Sequence, residues 1–124
     1  MAYDKNNIFA KIIRGEIPGK KVHEDDKVLA IHDIAPAAPV HVLIMPKGDY
    51  VSFDDFAQHA TPEMQAHFYK TITEIARKTG VDKTGYRLIA NHGAHASQSV
   101  PHFHVHLIGG RGLGGLLPDD AHAR

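Results

Sequence analysis

Cysteine is absent from this chain. That excludes a disulfide framework, a thiolate metal site and a thiol nucleophile, and it permits a reducing compartment. An excess of charge is also missing, since 14 Lys and Arg residues balance 14 Asp and Glu. No whole-molecule field therefore draws the chain to nucleic acid or to an anionic membrane, and any phosphate chemistry must be local. Apolar runs are short, none approaching the roughly 18 residues that a membrane helix needs. The opening Met-Ala-Tyr-Asp-Lys-Asn-Asn lacks the order of a signal peptide, so a cytoplasmic location is expected. Linkers, repeats and low-complexity tracts are missing too. A chain of 124 residues, 43% of them hydrophobic, then reads as one globular domain, with a core over about 7–111 and a carboxyl tail over 112–124.

Histidine is what the chain has in abundance: eleven copies, with His102, His104 and His106 in one short run. The elements around that run follow from apolar spacing. Asn6 or Asn7 can cap a short helix whose stripe is Ile8, Phe9, Ile12 and Ile13, ending before Gly15. Lys27 to Asp33 reads as a strand, stopped by Ala35-Pro36-Ala37-Ala38-Pro39. His41 to Met45, branched and continuously apolar, suits a central strand closed by Pro46. Thr61-Pro62-Glu63 is a strong helix start, and Met64, Phe68, Ile72, Ile75 and Ala76 keep helical spacing up to Gly80. Gly85 to Ala90 reads as a strand leading into the polar loop Asn91 to Ser99. Phe103, Val105 and Leu107 alternate with the three histidines, as on a strand with one apolar face, and Gly109-Gly110 ends it. The expectation is an α+β fold, a mostly antiparallel sheet with helices on one face.

Side chains two apart on a strand lie about 6 to 7 Å apart on one face, so the triad can line a groove. Three readings compete for it. Imidazoles can hold zinc with a position left open for water. No carboxylate lies in the triad or in the loop before it to orient a ligating ring, which weighs against metal. The triad can be the solvated face of an edge strand. It can also be a phosphoryl-transfer site, which needs a neutral ring, a fixed tautomer and donors for the phosphate oxygens. Backbone near His102 or His106 could accept from Nδ1 of His104, leaving Nε2 to attack, while Ser99, His106 and loop amides hold the oxygens.

The run Gln98 to Arg111 resembles the signature of the histidine triad (HIT) family, in which histidines alternate with apolar residues. Ile8 to Pro18, Glu24-Asp25-Asp26, His32 to Pro36 and Pro39 to Lys47 are similar to its Hint branch, so the resemblance spans about Asn7 to Arg111. It implies a five-stranded, mostly antiparallel sheet with one long and one short helix, joined across a homodimer into one larger sheet. It also implies a purine nucleoside phosphoramidase that needs no cofactor and no metal. His104 would be the nucleophile, His106 would contact the α-phosphate, and His102 and His41 would support them. Asp33 would bind the ribose hydroxyls. Ile34, with Ile8, Phe9, Ile17 and Ile31, would form the purine slot, while Asn91, Ser97, Gln98, Ser99 and Val105 would complete the nucleotide contacts. The expected partners are a purine nucleotide substrate and a second copy of the chain, with neither nucleic acid nor membrane. A dinucleoside polyphosphate hydrolase and a purine-nucleotide-binding regulatory module are the alternatives. Pro101 stands where many Hint proteins have tyrosine, and His92, Ala94, His95 and Ala96 replace more usual loop residues. His23, His32, His59, His67 and His122 read as surface or structural.

Overall fold

The computed structural model describes residues 2–117; the expectations for His122 and for the tail past Leu117 lie outside the described residues. Helix α1 spans Ile8–Ile13, and the Asn7 side chain accepts from the Ala10 amide at 2.8 Å, satisfying a donor that the first turn leaves open. Strands β1 (Lys21–Glu24) and β2 (Val28–His32) form a hairpin around Asp25, whose Oδ1 accepts from the Lys27 and Val28 amides. Strand β3 spans Val40–Pro46 and helix α2 Phe53–His59. Helix α3 spans Pro62–Thr79, capped by the Thr61 hydroxyl on the Met64 amide and ended at Gly80, whose φ of 84° suits a residue without Cβ. Strand β4 (Tyr86–Ile89), a 3-10 turn (Ala94–Ala96) and strand β5 (Val105–Gly109) complete the order.

The sheet runs β1-β2-β3-β5-β4, and every neighbouring pair is antiparallel. Period-two alternation sorts its side chains. Val28, Ala30, Val42, Ile44, Val105 and Leu107 point to one face, where Phe56 of α2 and Phe68, Ile72 and Ile75 of α3 cover them. Leu29, Ile31, Leu43 and Met45 point to the other, against Phe9 and Ile12 of α1. The expectation of helices on one face is therefore corrected. A central strand apolar at every position from Val42 to Met45 has to be covered on both sides, and α1 supplies the second cover.

Two further expectations change. Besides the one long and one short helix, the chain folds a second short helix, α2, which sets Phe56 into an aromatic cluster with Phe68 and Phe103 at centroid distances of 5.2 and 4.9 Å. The triad strand begins only at Val105, so His102, Phe103 and His104 precede it. Their backbone leaves the ladder because the Phe103 amide donates to the Tyr50 carbonyl, 2.7 Å away, in the segment after β3. His23 and His67 both bind Asp25 Oδ2, at 2.7 and 2.9 Å, which ties the first hairpin to α3. Among the described residues no helix is long and apolar enough to cross a membrane.

Candidate active site

Two adjoining cavities open on the α1 face of the sheet and share Phe9, Asp33 and Leu43. The first, about 220 Å³, is polar: His104 and His106 form one wall, and Asn91, Ser97, Gln98, Ser99 and Val100 the other. The second, about 460 Å³, is largely apolar, with Ile8, Ile12, Ile17 and Ile31 inside and Ile34 fully exposed at its rim. Lys20 and His32 are its polar lining beside Asp33.

Hydrogen bonds fix the tautomer of each ring. The Ala37 amide donates to His41 Nδ1 at 3.0 Å, so the His41 proton sits on Nε2. That Nε2–H lies 2.9 Å from His106 Nδ1, which must accept, and the His106 proton is left on Nε2. Asp33 stands beside this pair with Oδ2 at 3.4 Å from His41 Nε2, while its Oδ1 accepts from the Ala35 amide. His104 has the opposite arrangement. Its Nδ1–H donates to the His102 carbonyl at 2.8 Å, leaving the Nε2 lone pair without a partner among the described residues. His102 Nε2–H donates to the Pro46 carbonyl at 2.9 Å.

Burial keeps the three triad rings uncharged. It pushes His102 down to about 4, with the neighbouring His104 adding to the effect. His106 is also lowered to about 4, first by burial and then by His104 and His41. His104 is lowered by burial too, against the opposing pull of its bond to the His102 carbonyl. At neutral pH the site thus offers a free-base imidazole, His104, next to a donor, His106. Ligand atoms of Asp33, His41 and His106 gather within 4.8 Å of one another, a spacing open to a metal ion. A cation there would have to break the His41–His106 hydrogen bond.

The loop across the cavity is held by Gln98, whose side chain accepts from the Gly93 amide and donates to the Val51 and Val100 carbonyls. Ser97 takes a left-handed φ of 58°, closing the 3-10 turn. His92 reaches Ser52 Oγ at 2.8 Å and His95 is exposed, so neither lines the first cavity.

Of the expected residues, His104, His106, Asp33, Phe9, Asn91, Ser97, Gln98 and Ser99 meet at the polar cavity, and Ile8, Ile17, Ile31 and Ile34 at the apolar one. His41 stands one bond behind His106. His102, 1% exposed, lies behind His104 instead of beside it, so the triad does not line one groove. Val105 packs in the core on the opposite face. Leu43, Val100 and Lys20 were not anticipated. Leu43 was within reach, since it is two residues from His41 on a strand and must share its face.

The family model described as HIT domain matches residues 14–113. The chain belongs to the HIT domain family. A HIT-like protein of Azospirillum brasilense is 50% identical over 115 residues, covering 93% of this chain and 94% of that one. The Escherichia coli K12 protein named purine nucleoside phosphoramidase is 42% identical over 114 residues, covering 91% and 94%. Among solved structures, a HIT family hydrolase from Legionella pneumophila superposes with a TM-score of 0.83 at 38% identity, covering 88% of this chain and 96% of that one. A histidine triad protein from Clostridium difficile gives 0.80 at 40% identity, covering 90% and 96%. The HIT fold expected from the triad is borne out, and a hydrolase agrees with how these relatives are named.

Proposed function

We propose that this HIT protein is a purine nucleoside phosphoramidase, hydrolysing the P–N bond of a nucleoside 5'-phosphoramidate through a nucleotidyl group carried on His104. The observation that carries the reading is the His104 tautomer: Nδ1–H is spent on the His102 carbonyl, and Nε2 at the polar cavity has no partner among the described residues. The purine would occupy the apolar cavity, and Asp33, placed where the two cavities meet, would accept from the ribose hydroxyls. The α-phosphate then falls between His104 and the serine-bearing loop. His104 Nε2 forms a bond to phosphorus as the P–N bond breaks, and the amine departs with a proton drawn from solvent. Water then attacks phosphorus and gives up a proton to solvent, the Nε2–P bond breaks, and its electron pair returns to the imidazole. His106, protonated on Nε2 by way of His41, donates to a non-bridging oxygen through both steps. A homodimer fits the open edge of β4, which ends the sheet with Tyr86 and Leu88 exposed.

Turnover of adenosine 5'-phosphoramidate by wild type and by His104→Ala, with rapid-quench trapping of the nucleotidyl enzyme, tests the mechanism. The variant should lose turnover by at least about 10³-fold. Normal turnover by the variant, or no trapped intermediate in wild type, would refute it. Faster turnover of a diadenosine polyphosphate would move the substrate to the P–O–P class.

A further inference from the structure

The segment ahead of α1 lies outside the family-matched residues, which begin at residue 14, yet it reaches the back of the site. Asp4 organises it. Its Oδ1 accepts from the Asn6 amide at 2.9 Å and its carbonyl from Asn7 Nδ2 at 2.7 Å, while Asn7 caps α1. Arg14, just past the helix, donates to the Lys5 carbonyl at 2.8 Å. Segment and helix thus form one hydrogen-bonded unit, which sets the Tyr3 ring edge-on to the His102 ring with centroids 5.6 Å apart.

The Tyr3 hydroxyl lies 2.5 Å from His102 Nδ1. The polarity of that bond is forced, because the Pro46 carbonyl can only accept and so holds the single ring proton on Nε2. Nδ1 must accept, and the hydroxyl must donate. Burial raises the Tyr3 phenol above its ordinary value, which keeps its proton in place. His102 is in turn the residue whose carbonyl holds His104 Nδ1–H, and Phe9 stands edge-on to both rings at 6.4 and 4.8 Å. The direction of the His104 lone pair therefore depends on where residue 102 sits, between Pro46 on one side and Tyr3 on the other.

We infer that Tyr3 is a positioning residue for the covalent step: its hydroxyl clamps His102 against the Pro46 carbonyl, so that the His102 peptide holds the His104 imidazole with Nε2 aimed at phosphorus. The inference rests on the nucleophilic reading of His104. Tyr3 touches neither substrate cavity, so its contribution falls on the chemical step and not on binding.

Tyr3→Phe keeps the ring and its edge contact and removes only the hydroxyl. Its kcat should fall about tenfold with KM unchanged, and formation of the nucleotidyl enzyme in rapid quench should slow by the same factor. A kcat within twofold of wild type, or a loss matched by the loss of folded fraction in circular dichroism, overturns the inference. Should the variant not fold, nitrogen NMR of wild type with labelled histidine decides. A hydrogen-bonded acceptor Nδ1 and a protonated Nε2 on His102 support the clamp, and a proton on Nδ1 or an unbonded Nδ1 removes it. His104→Ala is assayed in parallel. Full activity there would sink the nucleophile itself, whereas an inactive His104→Ala beside an unimpaired Tyr3→Phe leaves the nucleophile standing and removes only the clamp.

Discussion

At the residue scale, the histidines of the site are governed by burial and by single hydrogen bonds. His102 and His106 are both pushed from the ordinary 6.5 down to about 4, so the unfolded chain binds protons there that the folded chain refuses. The unfolded state then carries more protons between about 6.5 and 4, and stability rises with pH across that window. Stability from these rings is complete above pH 6.5 and lost as pH falls toward 4. For His102, 1% exposed, the loss amounts to about 3 kcal/mol. Thermal melts from pH 8 to 4 should give a flat Tm above 6.5 and a steep fall below it, and His102→Gln should flatten that fall. A Tm indifferent to pH in this range contradicts the buried, neutral rings.

At the scale of elements, the legible parts of the chain were those whose signal is local. Thr61-Pro62 and Gly80 bracket α3, and Asn7 starts α1, because caps and stops act on their own turn. The strand β1 was not legible: Lys-Val-His-Glu buries only Val22 at a sheet edge, so no alternation marks it. Helix α2 was hidden for a related reason. It is seven residues long with one buried residue, Phe56, too little for a periodic stripe. Its importance is tertiary, since Phe56 is fully buried against Phe68 and Phe103. Phe56→Ala should cost about 3 to 5 kcal/mol in denaturant unfolding, through lost contacts and the cavity left behind. A change below 1 kcal/mol would mean that α2 is dispensable. The triad misled in one respect. Alternation in sequence suggested a strand from His102 onward, whereas the Phe103 amide donates to the Tyr50 carbonyl, and no pattern in the run itself announces a partner so distant.

At the scale of the whole molecule, what brings the site together is the sheet order. Strands β3 and β5 are neighbours, so His41 and His106 meet across the ladder despite their separation in sequence, with Leu43 facing His106 in register. The pairing of the two cavities through Phe9, Asp33 and Leu43 could not be read from residue spacing, because it depends on α1 crossing the face that α3 leaves open. The same order leaves β4 at the edge. Leu88 is 47% exposed there, and a charge on it should hinder pairing with a second copy. If the proposed homodimer forms through this edge, wild type should sediment or scatter as a dimer and Leu88→Lys as a monomer. A monomeric wild type would remove the homodimer, and a dimer unchanged by the substitution would remove this edge from it.

The amide of Ala37 belongs to an exposed turn that lines neither cavity, yet among the described residues it is the donor that makes His41 Nδ1 an acceptor and so places the ring proton on Nε2. Because His41 hands that instruction on to His106, the sign of the polar cavity is inherited from a loop: reverse the first bond and the ring that greets an anion would present a lone pair to it. An exposed turn is therefore a place where a single proline, lacking an N–H to give, would loosen the polarity of the cavity without altering one of its side chains.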